Sequence, residues 1–123
     1  MTSGTSYYSN NLTLPAGLYL GFMAFVPNYF GVNGVTNFTN LNFSVTGTNV
    51  TSIVSYNDGN IPRDPMIFGN ASTYPSMSLG PILFSVSASS TNIRYQFSPT
   101  FSFDLNPAGM SASNSPCTYL RIA

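Results

Sequence analysis

The chain has no lysine, glutamate, histidine or tryptophan, and its 123 residues carry six charged side chains: Asp58, Asp64, Asp104, Arg63, Arg94 and Arg121. Proton transfer near neutral pH and metal ligation fall mainly to His, Glu, Asp, Lys and Cys. The composition therefore argues against an enzyme, and no cofactor or metal is expected. Three scattered arginines cannot neutralise a run of phosphates, so nucleic acid is not an expected partner either. Cys117 is the only cysteine, which leaves no intrachain disulfide to staple the fold. Without His or Lys to lower its pKa, that thiol reads as a small buried residue, Arg121 being the one nearby cation.

Long apolar runs are missing too. The longest, Leu18 to Val26, is far too short to span a bilayer as a helix, so membrane insertion is not expected. Met1 to Asn10 is polar and lacks both the basic start and the apolar stretch of a secretory signal, which predicts a soluble product made in the cytoplasm. Sequons begin at Asn11, Asn37, Asn42, Asn49 and Asn70, a number that a chain so rich in Asn, Ser and Thr gives by composition alone.

What the chain does have is aromatic and small polar bulk: 10 Phe and 8 Tyr in a sequence that is 43% hydrophobic. That fraction excludes disorder driven by low hydrophobicity and high charge. The length fits one compact domain over 1–123, with 1–10 read as a flexible N-terminal arm. A net charge of zero on so few charges offers little repulsion between copies, and contacts between subunits are poor in Lys and Glu and rich in Tyr, Phe and Met. An assembling protein is expected.

Along the chain the period is two, and no segment reads as a helix. Leu12 and Leu14 end at the Pro15-Ala16-Gly17 turn, which launches a strand from Gly17 to Val26. Asn40–Thr46 alternates, turns through Gly47-Thr48-Asn49, and enters Val50–Tyr56 as an apparent hairpin. The turn formers between Asn57 and Pro81 predict long loops with one short strand around Ser76–Leu79. Ile82–Ala88 and Ile93–Phe97, joined by Ser89–Asn92, read as the clearest hairpin in the chain. Phe101, Phe103 and Leu105 mark a further strand, Pro107-Ala108-Gly109 a turn, and Cys117–Ile122 a terminal strand. Seven to nine short strands predict an all-β, antiparallel two-sheet sandwich.

The first long strand is apolar on both sides. Leu18, Leu20, Phe22, Ala24 and Val26 lie on one face; Tyr19, Gly21, Met23 and Phe25 lie on the other. A sandwich strand turns only one face to the core, so the second needs a cover. Another subunit and the segment Pro27 to Asn40 are the two candidates.

The step Leu12-Thr13-Leu14-Pro15-Ala16-Gly17 into Leu18-Tyr19-Leu20, with the last strand Cys117-Thr118-Tyr119-Leu120-Arg121-Ile122-Ala123, resembles the jelly-roll domains of the tumour-necrosis-factor and C1q type. The likeness is closest to versions in bacteriophage and large-virus spikes, fibres and capsid decoration proteins. It covers two short segments at opposite ends of the chain. It implies a jelly roll, a homotrimer with inner-sheet strands on the threefold axis, and contacts with other virion proteins. It would place Tyr19, Met23, Phe25 and Tyr119 at the subunit contact and the protein in the virion. The expected function is that of a non-enzymatic structural subunit: minor capsid, decoration or spike.

Other groups were candidates for chemistry. Asn57-Asp58-Gly59-Asn60 with Asp64 offers oxygen ligands on a tight loop, but lacks the acidic density of a calcium site and reads as a turn. Arg63 and Asp64 form a contact point or a solvated pair. Tyr56 and Tyr74 flank loops that could bind a host glycan, which defines the alternative function, a lectin-like module. A surface-layer or filament subunit is the third reading.

Overall fold

A computed structural model describes residues 3–25, 28–31, 34–57, 66–68, 77–104, 107–111 and 115–123. Among these residues every regular element is a strand. In chain order they are β1 (Tyr7–Tyr8), β2 (Leu12–Leu14), β3 (Gly17–Phe25), β4 (Asn28–Gly31), β5 (Gly34–Thr46), β6 (Val50–Val54), β7 (Tyr56–Asn57), β8 (Met66–Phe68), β9 (Met77–Val86), β10 (Ser90–Asp104), β11 (Pro107–Ser111) and β12 (Cys117–Arg121). The chain is an all-β, two-sheet antiparallel sandwich. Its larger, six-stranded sheet runs β1-β10-β5-β7, with β2 also on β10 and β8 also on β5. Its smaller sheet runs β12-β3-β9-β6, and β4 pairs with β11 apart from both.

Long strands next to one another in the chain change sheets: β3 lies in the smaller, β5 in the larger, β6 and β9 in the smaller, β10 in the larger, β12 in the smaller. Jelly rolls and other Greek-key sandwiches share this winding. It overturns both expected hairpins. Thr46 to Val50 and Val86 to Ser90 are crossings between sheets; β5 pairs with β10, and β9 pairs with β3 and β6. The physical reason is that alternation reports which side of a strand is buried, and two strands facing each other across a core alternate like two strands side by side. The crossing at 47–49 is made possible by Gly47 at φ 151° and Asn49 at φ 63°, the latter in the left-handed region that asparagine tolerates.

Four further expectations change. Residues 93–97 and 101–104 belong to one strand, β10, whose register against β5 shifts between Thr100 and Phe101. Part of the expected loop region is strand, since β8 pairs with β5 at Gly34 to Thr36. The segment weighed as a covering loop for β3 contributes β4 and the start of β5. The N-terminal segment read as an arm lies along β10: Ser9 N–H donates to Tyr95 O (3.0 Å), Tyr95 N–H to Ser9 Oγ (2.9 Å), and Phe101 N–H to Ser3 Oγ (2.9 Å).

The inward faces meet in a core rich in aromatic rings. Tyr19 and Phe84, partners across β3 and β9, stack at 5.5 Å between centroids. Across the sheets Phe25 meets Phe97 at 4.7 Å, and Phe84 meets Tyr95 edge-on at 6.4 Å. Leu14, Leu41, Leu79, Ile82 and Ile93 fill the space between and are fully buried. Such rings bury large areas and add pairing energy of about 0.5–1.5 kcal/mol each.

Candidate contact surface

The β3 alternation resolves into an inside and an outside. Tyr19, Met23 and Phe25 are 1%, 7% and 0% exposed, all within the core of a single chain. Three of the four residues expected at a subunit contact are therefore interior, and the correction has a plain cause: a core and an interface use the same side chains, so composition cannot tell one apolar face from the other. Tyr119 is 48% exposed, at the rim of the smaller sheet, with its ring edge-on to Tyr19 at 5.9 Å.

The opposite face of β3 looks outward, and the register builds a surface around it. Leu20 stands between Leu120 of β12 and Leu83 of β9, and Leu83 stands beside Val54 of β6. Paired residues project to the same side of a sheet, so Leu120, Leu20, Leu83 and Val54 form an apolar row across all four strands. Leu18, opposite Ser85, and Phe22, opposite Thr118, flank it on β3. Ile122 extends it, since its N–H donates to Leu18 O at 2.8 Å. Leu120 is 55% exposed, Val54 51%, Ile122 47% and Phe22 36%, while Leu18, Leu20 and Leu83 are half-buried. None of these positions carries a charge.

Leu18, Leu20 and Phe22 read as one face of β3 from the alternation alone, whereas their neighbours Leu83, Val54, Leu120 and Ile122 do not. The signal available was the alternation Thr118-Leu120-Ile122 in the last strand. The row itself depends on pairings between residues far apart in the chain.

The two segments that carry the jelly-roll resemblance lie side by side. Arg121 Nη2 donates to Ala16 O at 2.9 Å, its Nε donates to Ala123 O at 3.2 Å, and Leu18 N–H donates to Ala123 O at 3.0 Å. Tyr19 Oη closes the Pro15 turn by donating to Pro15 O at 2.8 Å. β12 is tied from beneath as well, because the buried Tyr95 Oη donates to Thr118 O at 2.7 Å. Burial, reinforced by Cys117 and Tyr119 nearby, holds that hydroxyl above the usual tyrosine range and keeps it a donor.

Cys117 is half-buried beside a cleft of about 510 Å³ that it lines with Ser9, Leu12 and Tyr95. Burial pushes its thiol pKa up, the reverse of what a nucleophilic cysteine needs. Alkylation by iodoacetamide should therefore be slower than for a small free thiol, with its pH profile displaced toward higher pH. A profile displaced toward lower pH would show an activated thiolate.

Of the other expected site residues, Tyr56 is half-buried in β7 and packs against the core. Arg63, Asp64, Tyr74 and most of the Asn57–Asn60 turn lie outside the described residues. Among the described residues no three of His, Cys, Asp or Glu come together. Comparison with known proteins gives no match to a family model, to a curated protein or to a solved structure.

Proposed function

We propose that this protein is a non-enzymatic structural subunit of a virus particle, a minor capsid, decoration or spike component that assembles as a homotrimer through the outward face of its smaller sheet. The observation that carries this reading is the uncharged apolar row Leu120-Leu20-Leu83-Val54 with its flanking Leu18, Phe22 and Ile122. Large exposed apolar patches on a folded chain mark places where something else binds. Seven such side chains amount to several hundred Å², the order of the ~800 Å² that each partner gives to a stable complex. Burial at roughly 25 cal/mol per Å² supplies the driving force, from which the cost of association is subtracted. The virus assignment and the threefold symmetry rest on the likeness of Leu12–Gly17 and Cys117–Ala123 to spike and decoration domains, in which the sheet holding these strands faces the axis.

Mass measured by light scattering tests the reading. The parent protein should be a closed trimer, while Val54→Asp combined with Leu120→Asp should be a monomer with an unchanged far-UV circular dichroism spectrum. Both side chains are about half exposed in the single chain, so the charges cost the fold little and the contact much. A parent that stays monomeric at high concentration, or a double variant that assembles as the parent does, would sink the proposal. Open polymers would point to a filament or surface layer instead.

A further inference from the structure

The other side of the sandwich has a different chemistry. On the outward face of the larger sheet, Asn11, Thr46, Gly47, Thr48, Asn92 and Arg94 line an open hollow of about 410 Å³. Asn92 is held rigidly in it: its Oδ1 accepts from Thr48 N–H and from Ser90 Oγ, both at 2.9 Å, and its Nδ2 donates to Thr48 Oγ1 at 2.8 Å. Arg94 stands opposite Thr46 in the β5–β10 register, and its guanidinium lies over the Tyr8 ring, 4.4 Å from the centroid. Tyr8 is half exposed and sits beside Gln96 on the same face.

Arg94 is unlike Arg121, whose guanidinium is spent on two backbone carbonyls. To the described residues Arg94 makes no hydrogen bond or ion pair. Stacking on an aromatic ring orients the guanidinium plane while leaving its N–H fork free, the arrangement that suits bidentate capture of an oxyanion. Lining the hollow with Arg94 are an amide at Asn11 and hydroxyls at Thr46 and Thr48, groups that exchange hydrogen bonds with hydroxyls, and no carboxylate is among the described lining residues.

We propose that this hollow binds an acidic saccharide, with the sugar's carboxylate on Arg94 and its hydroxyls on Asn11, Thr46 and Thr48. The volume accommodates one sugar ring with water around it. Tyr8 holds the guanidinium in place and offers its exposed ring edge to the same ligand. The site stands on the side of the sandwich opposite the apolar row, so a subunit packed through its smaller sheet presents this hollow outward. The inference does not depend on assembly.

Titration followed by NMR chemical shifts tests it, with sialyllactose and glucuronate as acidic probes, lactose as the neutral one and sodium sulfate as a plain anion. The acidic sugars should perturb Thr46, Thr48 and Asn92 and bind at least about tenfold more tightly than lactose, the expected weight of a charge-assisted pair. Arg94→Gln should remove that preference, and Tyr8→Leu should weaken binding without unfolding the chain, since both side chains are exposed. The monomeric Val54→Asp/Leu120→Asp protein should bind as the parent does, which separates failure here from failure of the assembly reading. Silence toward both acidic sugars, equal binding of lactose, equal binding of sulfate, or binding indifferent to Arg94→Gln would each overturn the proposal.

Discussion

Met23→Asp is expected to leave no folded protein. Met23 is 7% exposed and lies in the core cluster, opposite Cys117 on one side and Leu79 on the other. Among the described residues a carboxylate placed there has no cation to pair with: Arg94 points outward on the other sheet, and Arg121 is committed to the carbonyls of Ala16 and Ala123. Burying an unpaired charge costs several kcal/mol even after the group takes up a proton, and the lost methionine adds a packing defect of about 2 kcal/mol or more. Whole domains are stable by only about 5–15 kcal/mol. Far-UV circular dichroism and thermal melting should show no cooperative transition, or one lowered by tens of degrees. A folded Met23→Asp monomer close to the parent in melting temperature would reverse the assignment of inside and outside on β3, and would return Tyr19, Met23 and Phe25 to the subunit contact.

That assignment marks the limit of what the chain reveals before it is folded. The long strands were legible because alternation is local: Leu41, Phe43 and Val45 in β5, or Ile93, Tyr95 and Phe97 in β10, each announce a buried side within a few residues, whereas β8 and β11 read as loop and as the Pro107-Ala108-Gly109 turn. Partner choice was not legible. β9 and β10 are joined by a short turn and alternate in step, yet they face each other across the core, because the turn carries the chain from one sheet to the other. Sequence proximity favours a hairpin only where the turn geometry returns the strand to the same sheet. β3 offered two apolar faces, and the glycine on one of them was a clue left unread. Gly21 sits between Tyr19 and Met23, and a missing side chain in the middle of a core face marks a place where another group enters.

The surfaces follow the same rule. The apolar row joins Val54, Leu83, Leu20 and Leu120, one residue from each of four strands, and only the register aligns them. The Arg94 hollow joins Tyr8, Asn11, Thr46, Thr48 and Asn92 in the same way. The sequence shows Arg94 as one of three arginines and Tyr8 as one of 8 tyrosines, and nothing local brings the two within 4.4 Å. Composition bears on the chain as a whole and not on the place of its contacts, since scarcity of ionisable groups belongs to the whole chain and adjacency does not.

Gly21→Val should be nearly as damaging as a buried charge, through shape alone. A Cβ on residue 21 would stand 2.8 Å from Tyr95 Cε1, 2.9 Å from Ile82 Cγ1 and 3.0 Å from Tyr95 Oη. Tyr95 cannot give way cheaply. Its ring is wedged between Phe43 at 5.2 Å and Phe84 at 6.4 Å, and its hydroxyl anchors β12 through Thr118 O. Ile82 is fully buried against the same strand. Valine must therefore push apart the two sheets or expel the tyrosine, for a loss of about 3 kcal/mol or more, and expulsion frees β12, the strand that carries Leu120 and Ile122 to the outer face. Tyr95→Phe, which removes only the hydroxyl, should cost about 1 kcal/mol. Gly21→Ala should destabilise by less than valine and should be partly rescued by Tyr95→Leu, because the smaller side chain vacates the space that the new methyl needs; residues in contact are expected to depart from additivity in this direction. Chemical denaturation of the single and double variants measures the coupling. Additive losses for Gly21→Ala and Tyr95→Leu, or a Gly21→Val protein that melts with the parent, would show that the ring of Tyr95 does not occupy the notch that glycine leaves in β3.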